Sequence, residues 1–549
     1  MKYLIFPIAL FISLNVFSQL SDLKQKEIDS YFESWNAVGH PGGVLGVLKD
    51  GEILYTKAYG MSDLNMKQPN TVDTYFNIAS VSKQFTAMGI VLLEQEGKLS
   101  YDDEIQKYLP TIPKFKHKIT IRHLLHHTSG LRSLHGTLEM AGWRSSDPRS
   151  TEDLFRIMER QKDLNFEPGS EYLYCNTGYN FMAQIIENVT EVDFVSWIKS
   201  NVFEPLGMQY TYVEENYWNI VPGNANSYYA EEKGFANAVP YWGYLGSGNA
   251  HTNVIDLLKW YNNFSHPKSG WEDAFKVLQT KDTLNDGSDN NYAFGVVMDK
   301  YRGVDRIQHG GAIGGFRSFA CAYPKEDVSI VLLTNFTSSD VRGKVEKVSN
   351  LLLNVSEDQK LVRKTIEVKA KKLEMYEGHF WNEKKKFSRK VYVRDGKLWY
   401  HRAEGNESEM RPVGKHEFQM VSSNAPIMKF DFSDPDAPAM IVGYGLADAG
   451  HFVAFNPVEP TPELLNEYIG SFYSPELDTK YVLRFEDGKL IASEKRLGDL
   501  SVELMNVDAL NVEWPLGNLD VKRNANNEIT GFHASNGRVR NVWFEKIIE

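Results

Sequence analysis

Cysteine is almost missing. Cys175 and Cys321 are the only two in 549 residues, so no disulfide scaffold holds this chain, and their separation matches no zinc ligand set. Basic charge is also short. Lys and Arg number 60 against 72 Asp and Glu, a net charge of −12, which removes the cationic surplus that phosphate backbones require and argues against nucleic acid as a partner. Long apolar runs are absent beyond the N-terminus, so nothing later reads as a membrane span. The remainder, 42% hydrophobic and 24% charged, is too apolar for disorder. It is long enough for three or four domains, each with its own core.

The one apolar run, Tyr3 to Leu14, follows the basic start Met1-Lys2 and precedes Val16-Phe17-Ser18. It is short for a span and reads as a secretory signal, residues 1–18, cut after Ser18; the alternative is an uncleaved anchor. With no cysteine near the cut, lipid attachment is not expected. The mature protein is expected in the periplasm or outside the cell, without a transmembrane anchor.

From 19 to 356, helical spacing in Ser21–Trp35 is followed by two β-rich runs, Val44–Leu48 and Ile53–Tyr59, around the hairpin signal Lys49-Asp50-Gly51. Helical segments at Gly178–Glu187 and Val254–Phe264 precede two more strands, Phe316–Tyr323 and Ser329–Asn335, and a last helix ends near Asn354. Strands at both ends with helices between predict one sheet covered on its faces, an α/β sandwich. A polar linker, 357–372, leads to an internal repeat. Tyr376, Gly378, Phe380, Asp395, Gly396, Lys397 and Leu398 recur 92 residues later (468 − 376) as Tyr468, Gly470, Phe472, Asp487, Gly488, Lys489 and Leu490. The second copy holds eight short β-like runs, enough to close a small antiparallel barrel. Residues 373–460 and 461–549 are therefore read as two eight-stranded barrels; the rival reading is one larger barrel built from both.

Ser-x-x-Lys occurs three times, at Ser21–Lys24, Ser80–Lys83 and Ser196–Lys199. Only Ser80 follows a β-like run and opens a helical one. A serine there has free N–H groups at hand, and a lysine one turn on can take its proton if desolvation lowers the lysine pKa. Tyr174-Cys175-Asn176 stands before a helix and offers a phenol for proton relay and a carboxamide for holding an amide. His309-Gly310-Gly311-Ala312 offers glycines beside which a substrate backbone can lie. Each motif alone also reads as a cap, a turn or a glycine-rich connection.

Together, Ser80-Val-Ser-Lys83, Tyr174-Cys-Asn176 and His309-Gly-Gly311 resemble the motif set of the serine β-lactamase and penicillin-binding-protein superfamily, in its class C branch with DD-peptidases, D-aminopeptidases and esterases. Ile119-Thr-Ile-Arg-His-Leu-Leu-His-His-Thr-Ser-Gly-Leu131 and Phe203-Glu-Pro-Leu-Gly-Met208 resemble further phrases of that family. The resemblance implies Ser80 as acylated nucleophile, Lys83 as its base, Tyr174 as proton relay to the leaving group, and Asn176, His309 and Gly311 as substrate-binding residues. It places the oxyanion hole at the N–H groups of Ser80 and Ala312. It implies a β-lactamase/DD-peptidase-type sandwich with lipocalin-like barrels, no cofactor and no metal. His309 and Gly310 stand where β-lactamases carry a carboxylate-gripping Lys and Thr or Ser, so weak antibiotic hydrolysis is expected.

The expectation is an exported serine hydrolase acting on a small peptide, amide or ester, cell-wall peptide included. A carboxylesterase or weak class C-like β-lactamase is the alternative. A catalytically silent penicillin-binding-type sensor is the rival from another class. His126-His127 is read as a structural pair beneath the site, and Lys384-Lys385-Lys386 as a solvated turn. Cys175 is expected to pack inward, with a bond to Cys321 as the lesser possibility. Tyr228, Tyr229, Tyr241 and Trp242 are expected to line the cleft or to cover the sandwich.

Overall fold

Short-range turn chemistry sets the frame. In the computed structural model, which describes residues 20–355, 363–383, 387–403, 406–421, 426–443 and 450–548, three Asp-Gly pairs make the same tight turn. Asp50-Gly51, Asp395-Gly396 and Asp487-Gly488 all have positive φ at both residues, the conformation that matches a two-residue loop to the twist of its strands. The expected signal peptide, the Lys384–Lys386 turn and part of the expected linker lie outside the described residues.

The first of these turns joins Gly43–Lys49 to Glu52–Tyr59. These strands form one end of a six-stranded antiparallel sheet that continues through Val328–Thr334, Phe316–Tyr323, Val304–Ile313 and Val297–Tyr301. Chain ends and sheet meet because Gly43–Lys49 pairs with Val328–Thr334 across nearly the whole domain. Two separate apolar clusters cover the two faces, which is the expected sandwich. The predicted helix Ser21–Trp35 is broken: Asp22–Ser30 is α-helical, and a separate 3-10 turn spans Glu33–Asn36. Phe32 and Trp35 are buried in the outer cluster, so tertiary packing overrides a continuous helix. Tyr228 belongs to that same cluster, its hydroxyl accepting from Leu64 N at 2.8 Å, and so covers the sandwich.

The repeat folds as two closed eight-stranded barrels, not one larger barrel. Each copy closes because its last strand returns to its first: Gly450–Phe455 pairs with Gly378–Asn382, and Val539–Ile547 with Gly470–Ser474. The equivalence reaches the backbone, since Gly378 and Gly470 share φ +153°. Both interiors are filled by side chains. Met410, Met420, Met428 and Met440 pack with Phe380, Phe418 and Phe430 in the first, and Phe472, Tyr481, Phe532 and Phe544 fill the second.

The two barrels differ in what they touch. The interior of the second is continuous with the sandwich core, whereas that of the first forms its own cluster. Ile366 N donates to Pro412 O at 2.9 Å, laying the end of the linker on the first barrel. At the seam with the second barrel, Arg132 is fully buried and pairs with Glu476, while its Nε and Nη2 donate to the carbonyls of Arg540 and Asn541 at 3.0 and 3.2 Å. Burial pulls the Arg132 pKa down to about 10. Tyr481 Oη donates to Met140 O at 3.0 Å, and Arg496 pairs with Asp147 at 2.6 Å. The second barrel is thus a wall of the sandwich.

Arg132→Met strands the Glu476 carboxylate and two carbonyls in a dry interface. Breaking a buried pair from one side costs about 3–5 kcal/mol, and urea unfolding should report a loss of that size. Pairing Arg132→Met with Glu476→Leu should recover much of it, since no unpaired charge then remains.

Candidate active site

The turn that carries Ser80 begins at Phe76–Asn77, a short strand paired with Ala250–Thr252. Ile78 N donates to Ala250 O and Ala79 N to Asn77 Oδ1, both at 2.9 Å. These bonds hold Ala79 at φ +49°, a left-handed conformation that costs an L-residue about 1–2 kcal/mol. The bend directs Ser80 into the cleft from a 3-10 turn, Ala79–Ser82, that runs straight into the helix Lys83–Gln95. Expected as the first turn of an α-helix, Ser80 therefore sits just before it.

Lys83 is 0% exposed. Its Nζ lies 3.3 Å from Ser80 Oγ, 2.9 Å from Asn176 Oδ1 and 2.6 Å from Ser247 O. Burial, helped by the nearby Arg538 guanidinium, pushes its pKa well below the ordinary lysine value. A neutral amine has two N–H donors and one lone pair. The carbonyls of Asn176 and Ser247 use the donors, which leaves the lone pair for the Ser80 hydroxyl. The other two copies of the motif have no such setting. Ser21 caps a helix by accepting from Lys24 N at 3.5 Å, and Lys199 is exposed 3.9 Å from Glu204.

Tyr174 and Cys175 precede the helix Asn176–Thr190. Cys175 N donates to His127 Nδ1 at 3.1 Å, and the His127 ring lies 4.3 Å from that of Tyr174. That bond makes Nδ1 the bare nitrogen of a neutral imidazole, and burial, with Lys83 nearby, holds the His127 pKa well below its usual value. His126 Nδ1 donates to Tyr292 O at 2.8 Å. Both histidines are buried packing groups under the cleft. Burial raises the Tyr174 pKa, partly offset by Ser80, although Tyr174 Oη makes no hydrogen bond of good geometry. Lys83 Nζ sits 4.9 Å from the Tyr174 ring centre.

The third motif lies on the strand Val304–Ile313. Val297–Tyr301 pairs with it only as far as Gln308, so among the described residues the His309–Ile313 edge has no strand beside it. Gly311 has to be glycine: a Cβ there would stand 2.2 Å from Ile78 O and 2.4 Å from Ser318 Oγ. Ala312, the next residue, is exposed. His309 Nδ1 donates to Gly310 O at 2.7 Å and Nε2 accepts from Tyr292 Oη at 3.0 Å. Burial and Lys83 take its pKa down to about 3, so this imidazole is neutral where β-lactamases are expected to carry a cation.

Ser80, Lys83, Tyr174, Asn176, His309 and Gly311 thus surround one cleft. Sequence reasoning missed Ser247, Tyr292 and Arg538. Gly246-Ser247-Gly248 and the hairpin signal Asn536-Gly537 were visible, but not where they lead. The cysteines are both free. Cys175 packs in the inner cluster and Cys321 in the outer one, so the sheet separates them and the possible disulfide is ruled out. Trp242 packs 4.7 Å from the His135 ring, with the Arg149 guanidinium 5.1 Å from its own.

A serine beside a buried lysine whose pKa is pushed well down, with a tyrosine against both, defines a serine hydrolase of the Ser-x-x-Lys type. Residues 28–354 match the Beta-lactamase family model, and the chain belongs to that family. It is 30% identical over 331 residues to a penicillin-binding protein of Bacillus subtilis, covering 57% of this chain and 72% of that one. It is 26% identical over 299 residues to a D-aminopeptidase of Gluconobacter oxydans, covering 54% of this chain and spanning 56% of that enzyme's length. The octameric penicillin-binding protein homologue from Pyrococcus abyssi shares the fold at a TM-score of 0.57 and 21% identity, over 79% of this chain and all of that one.

His309 and His135 both sit near pKa 3, lowered by burial, against about 6.5 for a free imidazole. Below pH 6.5 the unfolded chain takes up protons that the folded chain refuses, so stability falls as pH drops toward 3. The urea midpoint should decline between pH 7 and pH 5. Replacing both histidines by Asn should reduce that slope, leaving the share of His127, whose pKa burial also lowers, and nitrogen NMR should find His309 neutral throughout.

Proposed function

We propose that the protein is an exported serine hydrolase that cleaves small peptides or amides containing D-residues through an acyl-enzyme. The carrying observation is Lys83, buried and held by Asn176 Oδ1 and Ser247 O within 3.3 Å of Ser80 Oγ. Lys83 takes the Ser80 proton as Oγ bonds to the carbonyl carbon. The N–H groups of Ser80 and Ala312 receive the resulting oxyanion. Collapse breaks the bond to the leaving amine, which collects its proton through Tyr174. Water then adds to the acyl carbon, and Ser80 leaves with its proton restored. Asn176 and Gly311 position the chain, and His309 fixes the cleft wall through Tyr292. The names of the relatives, D-aminopeptidase among them, support D-substrates, and the apolar leader at residues 1–18 supports export. A silent sensor is disfavoured, because burying Lys83 is costly and serves no binding-only purpose.

Fluorophosphonate should add one label, seen by intact mass. Ser80→Ala should remove it, Ser196→Ala should keep it, and Lys83→Met should slow turnover by about 10²–10⁴-fold. Labelling that persists in Ser80→Ala would sink this assignment. A panel of D-aminoacyl amides and esters with the wild type identifies the acyl donor.

The neutral His309 also favours amide or ester substrates over β-lactams. Loss of a charge-assisted hydrogen bond costs about 1.5–3 kcal/mol, or roughly 10- to 100-fold. Nitrocefin should be turned over at least that much more slowly than the best amide or ester, and equal rates refute the argument.

A further inference from the structure

One cation in the cleft comes from outside the sandwich. The strands Ile529–Asn536 and Val539–Ile547 of the second barrel are joined by a tight turn, and its tip, Gly537-Arg538, is exposed. The Arg538 guanidinium stands 4.8 Å from the centre of the Tyr174 ring. The main chain around it is pinned: Arg538 O accepts from Ser133 N at 3.3 Å and from Asn165 Nδ2 at 3.0 Å, and Arg540 N donates to Asn165 Oδ1 at 2.8 Å. Val539 is fully buried against Gly136, where an added Cβ would lie 3.0 Å from Val539 Cγ2. The turn is a seated part of the cleft rather than a free loop.

Its charge acts on Lys83 and the Tyr174 ring but has no anionic partner among the described residues. Among the described residues, no hydrogen bond or ion pair engages the Arg538 guanidinium, whereas Arg540, two residues on, pairs with Glu171 at 3.0 Å. Among the described residues, the guanidiniums of Arg538 and Arg342 bear on Lys83, His127 and His309, and no carboxylate does so comparably. A chain of net charge −12 thus holds one guanidinium beside the tyrosine of its cleft. The first barrel has no counterpart, because the residue 92 positions earlier (538 − 92) is Leu446.

We propose that Arg538 is a specificity residue of this active site, delivered by the second barrel to bind a carboxylate on the departing part of the substrate. This rests on the reading of Ser80 as nucleophile and Tyr174 as donor to the leaving group. A guanidinium forks onto a carboxylate through two parallel N–H bonds, and the same charge repels a substrate that presents a free ammonium at that point. The wall residue thus supplies what the neutral His309 cannot.

The test uses the full chain and two ligands, N-acetyl-D-alanyl-D-alanine and its C-terminal amide, each competing with fluorophosphonate for Ser80. The free acid should protect about 10- to 100-fold better than the amide in the wild type. Arg538→Ala should bring that ratio to within about threefold of unity, Arg538→Lys should keep part of it, and Arg538→Glu should reverse it. Arg496→Ala, at the far side of the same interface, should leave the ratio alone and controls for docking of the barrel. An unchanged ratio in Arg538→Ala overturns the proposal, as does an equal loss for acid and amide. Succinyl-D-alanine amide, with its carboxylate on the acyl side, should show no dependence on Arg538; dependence there refutes the assigned side. If neither dipeptide is hydrolysed but the acid still protects through Arg538, the anion site stands and the substrate reading falls. If both are hydrolysed with no Arg538-dependent preference, the reverse holds.

Discussion

The burial of a single lysine amine organises the catalytic half of this molecule. Lys83 lies at the start of a helix that is buried along most of its length, and removing an ammonium from water costs several kcal/mol even after relaxation. The fold meets that cost with two carbonyl oxygens from distant parts of the chain, Asn176 at a helix start and Ser247 in a glycine-flanked loop. The rings of Tyr174 and Tyr179 stand within 5.5 Å of the nitrogen. With no carboxylate to pair with among the described residues, the amine is driven toward its neutral form. The structural cost and the chemical use of Lys83 are therefore one fact.

The same logic explains why two copies of one barrel have different roles. Glu476, which neutralises the buried Arg132, corresponds at the 92-residue offset (476 − 92) to Lys384, and Tyr481 (481 − 92) to Arg389. The first copy carries positive charge where the seam needs an acid and a phenol, so it cannot take the second copy's place against the sandwich. Some interior positions are kept in both copies, as where Phe380 matches Phe472, but that of Tyr481 is not. The residues that meet the sandwich in the second copy, Glu476 and Tyr481, are thus not repeated in the first.

Much of this could be read from residues alone, and the parts that could not share a cause. The Asp-Gly turns, the repeat and the eight runs of the second copy were legible because each is a local pattern: the run Ile529–Ala534, for instance, became the strand Ile529–Asn536. Ser80, Lys83, Tyr174 and Asn176 were legible because their motifs, each ambiguous alone, together resemble the set of a known family. Ser247, Tyr292 and Arg538 were not, because each reaches the site through tertiary packing: a backbone carbonyl, a phenol behind His309, and a turn more than 360 residues from Tyr174 along the chain (538 − 174). The break in Ser21–Trp35 has the same origin, since Phe32 and Trp35 turn inward to pack on Tyr59.

Charge at two length scales completes the picture. An acidic chain repels anions at long range, yet in physiological salt that repulsion fades within about 8 Å of the surface. Inside the cleft, low-dielectric walls sustain the field of Arg538, whose guanidinium has no anionic partner among the described residues. An anionic group gains little on approach and much on arrival. Such a site selects by binding geometry rather than by capture rate, so discrimination depends on where the second barrel holds one arginine. The seam around Arg132 and the turn at Arg538 then belong to one device, because the buried ion pair fixes the wall from which the exposed guanidinium reaches Tyr174.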